Sequence, residues 1–326
     1  MQDFTQRYLA LKREIDIRLE SVIDRQKPES LYAPAHYLLQ SSGKRIRPIL
    51  VLLACEAVGG NVADAYDAGV AVEILHNFTL VHDDIMDNAP SRRGRTTVHT
   101  KWDTNTAILV GDELIGVAYK TILGTGTGDI REIMRVFTDG MIEVCEGQSY
   151  DKEYEQRASV SADEYLMMIS KKTGRLVSMS AEIGALIGNA SEPQRTALHR
   201  YASLIGRAFQ VQDDLLDVIA DENEFGKMIG GDILEGKKTF LLVHAVTRAR
   251  NGELELLQAV AERRCTSPEH VLNVRRVYED LGVIDLARDQ IRRDTDAALD
   301  QLRSVPDSPA RSMLQWFAEM LLRRNY

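Results

Sequence analysis

Residues 76–95 read HNFTLVHDDIMDNAPSRRGR, a stretch in which three aspartates and three arginines follow an apolar run. A helix advances about 100° per residue, so His76, Asp83 and Asp87 fall within roughly 40° of one another. Carboxylates on one stripe repel unless a cation lies between them, and oxygen ligands with room for waters suit magnesium bound together with phosphates. The arginines that follow are side chains that bind phosphate oxygens. A single motif of this kind is more often an exposed helix end of mixed charge.

The pattern recurs at residues 209–217, which read FQVQDDLLD. Asp213, Asp214 and Asp217 repeat the spacing of the first cluster, and Gln210 shares a helical stripe with the first and last of them. Two carboxylate clusters, each ending an apolar helix, can face each other across a cavity. A calcium-binding EF-hand loop is excluded because the D-x-D-x-D-G pattern is missing.

Composition limits the possible functions. The 326 residues are 44% hydrophobic, and no Pro/Gly/Ser-rich linker divides them, so we expect one domain over residues 1–326. The net charge of −9 argues against a nucleic-acid-binding protein. Cys55, Cys145 and Cys265 lack CxxC spacing and indicate reduced thiols of a cytoplasmic protein. The first residues do not form a signal peptide, and the longest apolar run is too short to span a bilayer.

Apolar residues recur at i, i+3 and i+4 along nearly the whole chain, which predicts an all-α fold of about a dozen helices. Helices over residues 64–87 and 194–220 carry the two aspartate clusters. We expect the second helix of the chain to begin after Pro34, and the polar residues 149–161 to form a connection between helices.

Residues 221–238 are charged and rich in glycine, and they predict a loop. The loop is either a simple linker or a mobile lid. As a lid it would bring Lys227, Lys237 and Lys238 over a phosphate group.

The two clusters, together with GKRIRP at residues 43–48, resemble the corresponding segments of the trans-prenyltransferases, the isoprenyl diphosphate synthases, including geranylgeranyl and farnesyl diphosphate synthases. Five segments agree in order over roughly residues 36–245. The resemblance implies an isoprenoid-synthase-type helical bundle around a deep central cavity, and a homodimer. It also implies that isopentenyl diphosphate is condensed head-to-tail with an allylic diphosphate.

The resemblance assigns basic residues to each of two diphosphates. The ligands of isopentenyl diphosphate would be Lys44, Arg47, His76 and Arg93. The ligands of the allylic diphosphate would be Arg92, Lys172, Lys227 and Lys237. Without the resemblance, the basic residues of GKRIRP are more simply read as a solvated patch.

The resemblance also assigns three magnesium ions to the aspartates. Asp83 and Asp87 would bind two ions and Asp213 a third, while Asp84 and Asp217, with Asp217 counted among the metal residues, would support them through water or through contacts with the ligands. Metal and cations that neutralise the developing charge make a diphosphate a good leaving group. No GxSxG or Cys/His arrangement indicates a nucleophilic side chain instead.

Two further residues are expected beside the reacting carbons. By resemblance, Thr173 and Gln210 would line these carbons and steady the allylic cation. Without the resemblance, Thr173 belongs to an ordinary helix surface and Gln210 is a hydrogen-bonded core amide. The sequence departs from the usual motifs at Thr96, where proline is typical, and at Asp103, where glycine is typical. Both positions lie outside the expected ligands.

Product length is expected to depend on residues just before the first cluster. Thr79 lies about 40° from Asp83 on a helical wheel and should face the cavity, whereas Phe78 lies about 140° away. A role for Phe78 as the cavity floor therefore rests on resemblance to geranylgeranyl-forming enzymes. We expect geranylgeranyl diphosphate as the main product, with a farnesyl or longer-chain synthase as the alternative. A class I terpene cyclase is less favoured, because DDLLD stands in place of an N-D/S-E type motif and Lys44, Arg47 and Arg93 are present. A non-catalytic subunit of a heteromeric synthase is less favoured, because both aspartate clusters are intact.

Overall fold

The computed structural model describes residues 4–219, 230–265 and 267–322. Apart from one short hairpin, the regular structure in this part of the chain is helical, which confirms the predicted all-α class. The hairpin pairs β1 (Ser91–Arg92) with β2 (Arg95–Thr96). The α-helices are α1 (Phe4–Ser21), α2 (Glu29–Leu39), α3 (Ile46–Ala57), α4 (Tyr66–Met86), α5 (Val98–Lys101), α6 (Thr104–Ile122), α7 (Ile130–Glu155), α8 (Ala162–Ile169), α9 (Arg175–Ile187), α10 (Glu192–Ile219), α11 (Gly231–Glu235), α12 (Phe240–Arg248), α13 (Gly252–Ala261), α14 (Pro268–Asp280), α15 (Val283–Gln301) and α16 (Pro309–Leu322).

The chain divides into two compact units. As far as their residues are described, the first unit comprises Met1–Met141, Met179–His199 and Ser304–Leu314, and the second comprises Ile142–Ser178, Arg200–Arg303 and Gln315–Tyr326. The single domain expected from the sequence stays a prediction.

The core of the first unit is built around α4. This helix is buried without interruption from Ala68 to Phe78, and it packs against α3 and along α6. Helix α1 covers α3 and α4 with an apolar stripe, because Leu11, Ile15 and Leu19 recur every four residues and are all buried. The burial of α4 fixes the position of the aspartates at its carboxyl-terminal end.

The core of the second unit gathers apolar side chains from α8, from the later part of α10 and from helices α12 to α15. Its large buried side chains include Tyr165, Phe240 and Tyr278. Leu215 of α10 is fully buried among them, two residues before Asp217. The second aspartate cluster therefore lies on a helix that is anchored in this core.

Two of the predicted boundaries are wrong. Helix α2 begins at Glu29 and includes Pro34, because buried Tyr32, Ala35 and Leu39 keep helical spacing across the proline. Helix α7 continues to Glu155 through residues predicted as a connection, and its last turn is supported by a Lys152–Glu155 hydrogen bond of 2.7 Å.

Candidate active site

The first aspartate cluster stands at the end of α4, beside the hairpin. Asp84 is buried, and the Arg92 guanidinium of β1 donates from Nε to its Oδ1 at 2.5 Å. Nη2 of the same guanidinium lies 3.6 Å from Oδ2 of Asp83. Burial raises the pKa of Asp84, the neighbouring Asp83 charge adds to this rise, and Arg92 opposes it. Arg92 thus neutralises part of the cluster here, although the resemblance assigned it to a diphosphate.

The carboxylates of the first cluster fit a divalent cation. Asp83 and Asp87 keep helical spacing, since the backbone N–H of Asp87 donates to the carbonyl of Asp83 at 2.9 Å. Their donors are oxygens, which suit magnesium. In the described ranges, no group of three or more His, Cys, Asp or Glu side chains is placed to hold a metal alone. Bound phosphates and waters would therefore have to complete the coordination.

A basic group surrounds His76 in the first unit. His76 is buried, and its Nδ1 has no hydrogen-bond partner among the residues that the structure describes. Its pKa lies well below the ordinary value, first because of burial and then because Arg47 and Arg93 place positive charge nearby. The imidazole is therefore neutral in a positive field, which favours binding of an anion. Lys44 is exposed beside Arg47 in the GKRIRP segment.

The hairpin brings Arg93 close to GKRIRP. Arg93 has a left-handed backbone conformation with φ of 52°, and its Nη1 donates to the carbonyl of Ser42 at 3.2 Å. A side chain at Gly43 would begin 2.9 Å from that Nη1 and would displace the guanidinium. Glycine at position 43 therefore makes this close approach possible.

The two departures from the usual motifs are accommodated locally. Asp103 caps α6, accepting from the backbone N–H of Thr106 at 2.8 Å and from its hydroxyl at 2.9 Å. These hydrogen bonds lower the pKa of Asp103. Thr96 pairs with Ser91 in the hairpin, and its carbonyl accepts from the hydroxyl of Tyr37 at 2.9 Å. The local structure therefore accommodates Asp103 in place of the usual glycine and Thr96 in place of the usual proline.

The second cluster contains a buried carboxylate that sequence reasoning did not select. Asp214 accepts three hydrogen bonds, from Tyr165 Oη at 2.5 Å, from the backbone N–H of Phe240 at 2.9 Å and from Gln210 Nε2 at 3.1 Å. Oε1 of Gln210 in turn accepts from the Thr173 hydroxyl at 2.9 Å. The two residues expected beside the reacting carbons thus contact each other, and Asp214 fixes the orientation of the Gln210 amide.

The other carboxylates of the second cluster are less deeply buried. Oδ2 of Asp217 accepts from the backbone N–H of Asp232 at 3.0 Å, in the first turn of α11. Burial and the Asp232 charge raise the pKa of both Asp214 and Asp217. Asp213 is partly exposed on the same helix. A nearby cation would relieve the mutual repulsion of these groups.

Lys172 and Thr173 lie in a π-helical turn, Ser170–Gly174, between α8 and α9. Gly147 of α7 allows this turn to come close, because a Cβ at Gly147 would lie 2.3 Å from the backbone nitrogen of Lys172. Nζ of Lys172 donates to Asp151 at 2.5 Å. Insertions of this kind in a helix are frequent at functional sites.

Lys237 follows α11 and forms ion pairs with Asp232 at 3.2 Å and Glu235 at 3.0 Å. These two carboxylates raise its pKa despite the opposing effect of burial. Lys238 instead donates to the carbonyl of Ala261 at 2.8 Å, at the end of α13. Of the predicted loop 221–238, residues 230–238 therefore include a short helix. Lys227 lies outside the described residues.

Phe78 and Thr79, which are expected to limit product length, are consecutive residues of α4. Phe78 is 7% exposed, and its ring meets His82 edge to face at a centroid distance of 4.9 Å. His82 packs against α6 at Gly111, where an added Cβ would lie 2.1 Å from Nε2. The Thr79 hydroxyl donates to the carbonyl of His76 at 2.8 Å.

Comparison with known proteins agrees with this chemistry. The model of the polyprenyl synthetase family matches residues 28–281. The chain belongs to the polyprenyl synthetase family. Geranylgeranyl pyrophosphate synthase of Geoglobus acetivorans is 38% identical over 315 residues, which cover 96% of each chain.

Solved polyprenyl synthetases share the fold. Geranylgeranyl pyrophosphate synthetase from Pyrococcus horikoshii superposes with a TM-score of 0.93 at 35% identity, covering 99% of both chains. A polyprenyl synthase from Caulobacter crescentus, complexed with calcium and isoprenyl diphosphate, superposes with a TM-score of 0.89 at 26% identity, covering 98% of this chain and 97% of that one.

These similarities confirm the predicted prenyl-synthase helical bundle and a prenyltransferase activity of the isoprenyl diphosphate synthase type. In the described residues, no helix combines the length and the apolar character needed to cross a membrane.

Proposed function

We propose that the enzyme elongates an allylic diphosphate with isopentenyl diphosphate and forms mainly geranylgeranyl diphosphate. The observation that carries the proposal is the arrangement in the first unit, where an aspartate cluster and a basic group lie on one helix and its hairpin. His76 and Asp83 are two turns apart on α4, and Arg92 and Arg93 are adjacent in sequence. Arg92 contacts the carboxylates, and Arg93 donates to the carbonyl of Ser42, directly before GKRIRP.

Isopentenyl diphosphate would bind to the basic group around His76. Lys44, Arg47 and Arg93 supply the positive charge, and a neutral His76 can donate a hydrogen bond from one ring nitrogen. Burial, followed by the charges of Arg47 and Arg93, lowers the pKa of His76. A diphosphate would relieve this concentration of positive charge.

The carboxylates would hold magnesium together with the allylic diphosphate. Asp83, Asp87 and Asp213 would serve as ligands, with support from Asp84 and Asp217. Three bound ions would supply the charge neutralisation that allows a diphosphate to leave. The relative from Caulobacter crescentus was solved with calcium and isoprenyl diphosphate, which supports this assignment.

Basic side chains would also hold the allylic diphosphate. These are Arg92, Lys172, Lys227 and Lys237. Arg92, Lys172 and Lys237 now pair with carboxylates, so phosphate oxygens would compete with Asp84, Asp151 and Asp232 for them.

The proposed elongation breaks an allylic C–O bond and forms a carbon–carbon bond. The allylic C–O bond breaks and diphosphate departs with the electron pair, leaving an allylic cation. The double bond of isopentenyl diphosphate attacks that cation, and the resulting cation loses a proton to the released diphosphate. The Thr173 hydroxyl donates to Gln210, so its lone pairs remain available to steady positive charge.

Product length would follow from where the cavity ends. Buried Phe78 would stop the growing chain, because a packed ring beside α6 cannot move aside cheaply. The test is elongation of labelled isopentenyl diphosphate with five-, ten- and fifteen-carbon primers, followed by chromatography of the dephosphorylated products. A twenty-carbon alcohol from every accepted primer supports the proposal. Mainly farnesol or longer alcohols would contradict the assigned length, and cyclised hydrocarbon would contradict elongation.

A homodimer would cover an exposed apolar line on α6. Leu109 and Leu123 are 59% and 60% exposed, and Gly116 lies between them with open space before it. Their spacing of seven residues places all three on one face of α6 and its carboxyl-terminal cap. A second copy of the chain is the occupant that we propose for this face.

Light scattering after size exclusion tests the dimer. Wild type should have about twice the chain mass of 36.6 kDa, and Leu109→Glu should reduce it to one chain mass. Leu272→Glu is the matched control, since Leu272 is 57% exposed on α14. Equal dissociation of both variants would contradict the proposed face.

The two buried thiols, Cys55 and Cys265, are free, which fits the cytoplasmic location that we propose.

A further inference from the structure

Arg45 lies between two expected diphosphate ligands of GKRIRP but faces the protein interior. Its side chain is 4% exposed. Nε donates to Asp16 Oδ1 at 2.7 Å, Nη1 to Glu73 Oε1 at 2.8 Å and Nη2 to the carbonyl of Ser41 at 2.7 Å. All three guanidinium nitrogens therefore donate to acceptors inside the first unit, and the buried side chain is occupied there.

The backbone around Arg45 is held in an unusual conformation. Arg45 has φ of 50° and ψ of 39°, a left-handed conformation that is unfavourable for a residue with a side chain. Such conformations persist when surrounding contacts determine them. Here the Tyr8 hydroxyl donates to the carbonyl of Lys44 at 2.6 Å, and Arg93 donates to the carbonyl of Ser42. In this turn Arg45 is buried, whereas Lys44 is exposed and Arg47 is partly exposed.

Glu73 connects this turn to α4. It is 2% exposed, and it lies one turn before His76. Its carbonyl also accepts from Asn77 Nδ2 at 2.8 Å. The Arg45–Glu73 pair thus joins the segment that carries Lys44 to the helix that carries His76.

We propose that Arg45, with Glu73 and Asp16, positions the isopentenyl diphosphate site without touching the substrate. This inference rests on the proposed function. The guanidinium fork holds three acceptors at fixed angles, which sets the backbone from Ser41 to Arg45. Both carboxylates also offset part of the Arg45 charge.

The test compares Glu73→Gln with a matched variant in the second unit, Asp294→Asn. Both neutralise a carboxylate that is 2% exposed and paired with arginine, in the control with Arg207. Glu73→Gln should raise the KM for isopentenyl diphosphate at least about tenfold and the allylic KM by less than about threefold. Calorimetric binding of isopentenyl diphosphate alone should weaken in parallel. Asp294→Asn should lower the Tm without separating the two KM values.

Further variants keep the test decisive if Glu73→Gln does not fold. Arg45→Lys keeps the charge but loses the fork, so it should show the same separation. Tyr8→Phe removes one exposed hydrogen bond to Lys44 and should raise the isopentenyl KM about threefold. Equal rises of both KM values, or the same separation in Asp294→Asn, would overturn the positioning role while leaving the reaction intact. A wild-type enzyme that does not elongate would overturn the proposed function and this inference together.

Discussion

Asp214→Asn exchanges one oxygen for an amino group and is expected to turn the Gln210 amide around. The backbone N–H of Phe240 can only donate, so the new asparagine must keep its oxygen towards Phe240 and Tyr165. Its amino group then faces Gln210 Nε2, and two donors repel. Gln210 turns to present its oxygen, and its Nε2 then donates to the Thr173 hydroxyl.

The magnitude follows from the reversed hydroxyl. In the wild type the lone pairs of Thr173 are available to a developing cation, whereas in the variant one lone pair is used and the hydrogen points outwards. A hydrogen bond to a charged group contributes about 1.5–3 kcal/mol, and about 1.4 kcal/mol corresponds to tenfold in rate. We therefore expect kcat to fall roughly 10- to 100-fold, with both KM values changed by less than about threefold.

Steady-state elongation at saturating substrates measures this effect. Asp294→Asn is the control, because Asp294 is also buried in the second unit and accepts from Arg207 and Gln290. Its kcat should remain within about twofold of wild type. A wild-type kcat in Asp214→Asn, or an equal fall in Asp294→Asn, would refute the reasoning.

Three further results are expected. Asp83→Ala should lower kcat by several orders of magnitude, and chelation should abolish wild-type activity until magnesium is restored; activity that survives chelation would exclude the metal assignment. Arg47→Ala should mainly raise the KM for isopentenyl diphosphate and Lys237→Ala that for the allylic substrate, whereas equal effects on both substrates would refute separate sites. Phe78→Ala should lengthen the products and lower stability by about 3–5 kcal/mol, measured by chromatography and denaturant unfolding; an unchanged product would place the floor elsewhere.

Local patterns in the sequence predicted the helices that carry the candidate site. The stripe of His76, Asp83 and Asp87 depends on spacing within one helix, and α4 has that spacing. In the sequence Asp103 stands out only as a departure from the usual motif, although aspartate is a common cap at a helix start and caps α6 here. Contacts between residues a few positions apart on one helix can be predicted without knowledge of the tertiary fold.

The hydrogen bonds of Asp214 depend on residues far away in sequence. Tyr165 is 49 positions distant and Phe240 is 26, so spacing around the second cluster could not identify them. The π-helical turn at Lys172 likewise depends on Gly147, on another helix. Helix α7 extends further than predicted, and its last turn buries Tyr154 in the core of the second unit and contains the Lys152–Glu155 pair.

The most direct test of the central claim is the stoichiometry of one reaction. Release of inorganic diphosphate and incorporation of labelled isopentenyl units are measured together, with an allylic primer and magnesium. Head-to-tail elongation predicts one diphosphate released for each isopentenyl unit incorporated. Release without incorporation, as in a cyclase, or neither event in the purified protein, would contradict the account.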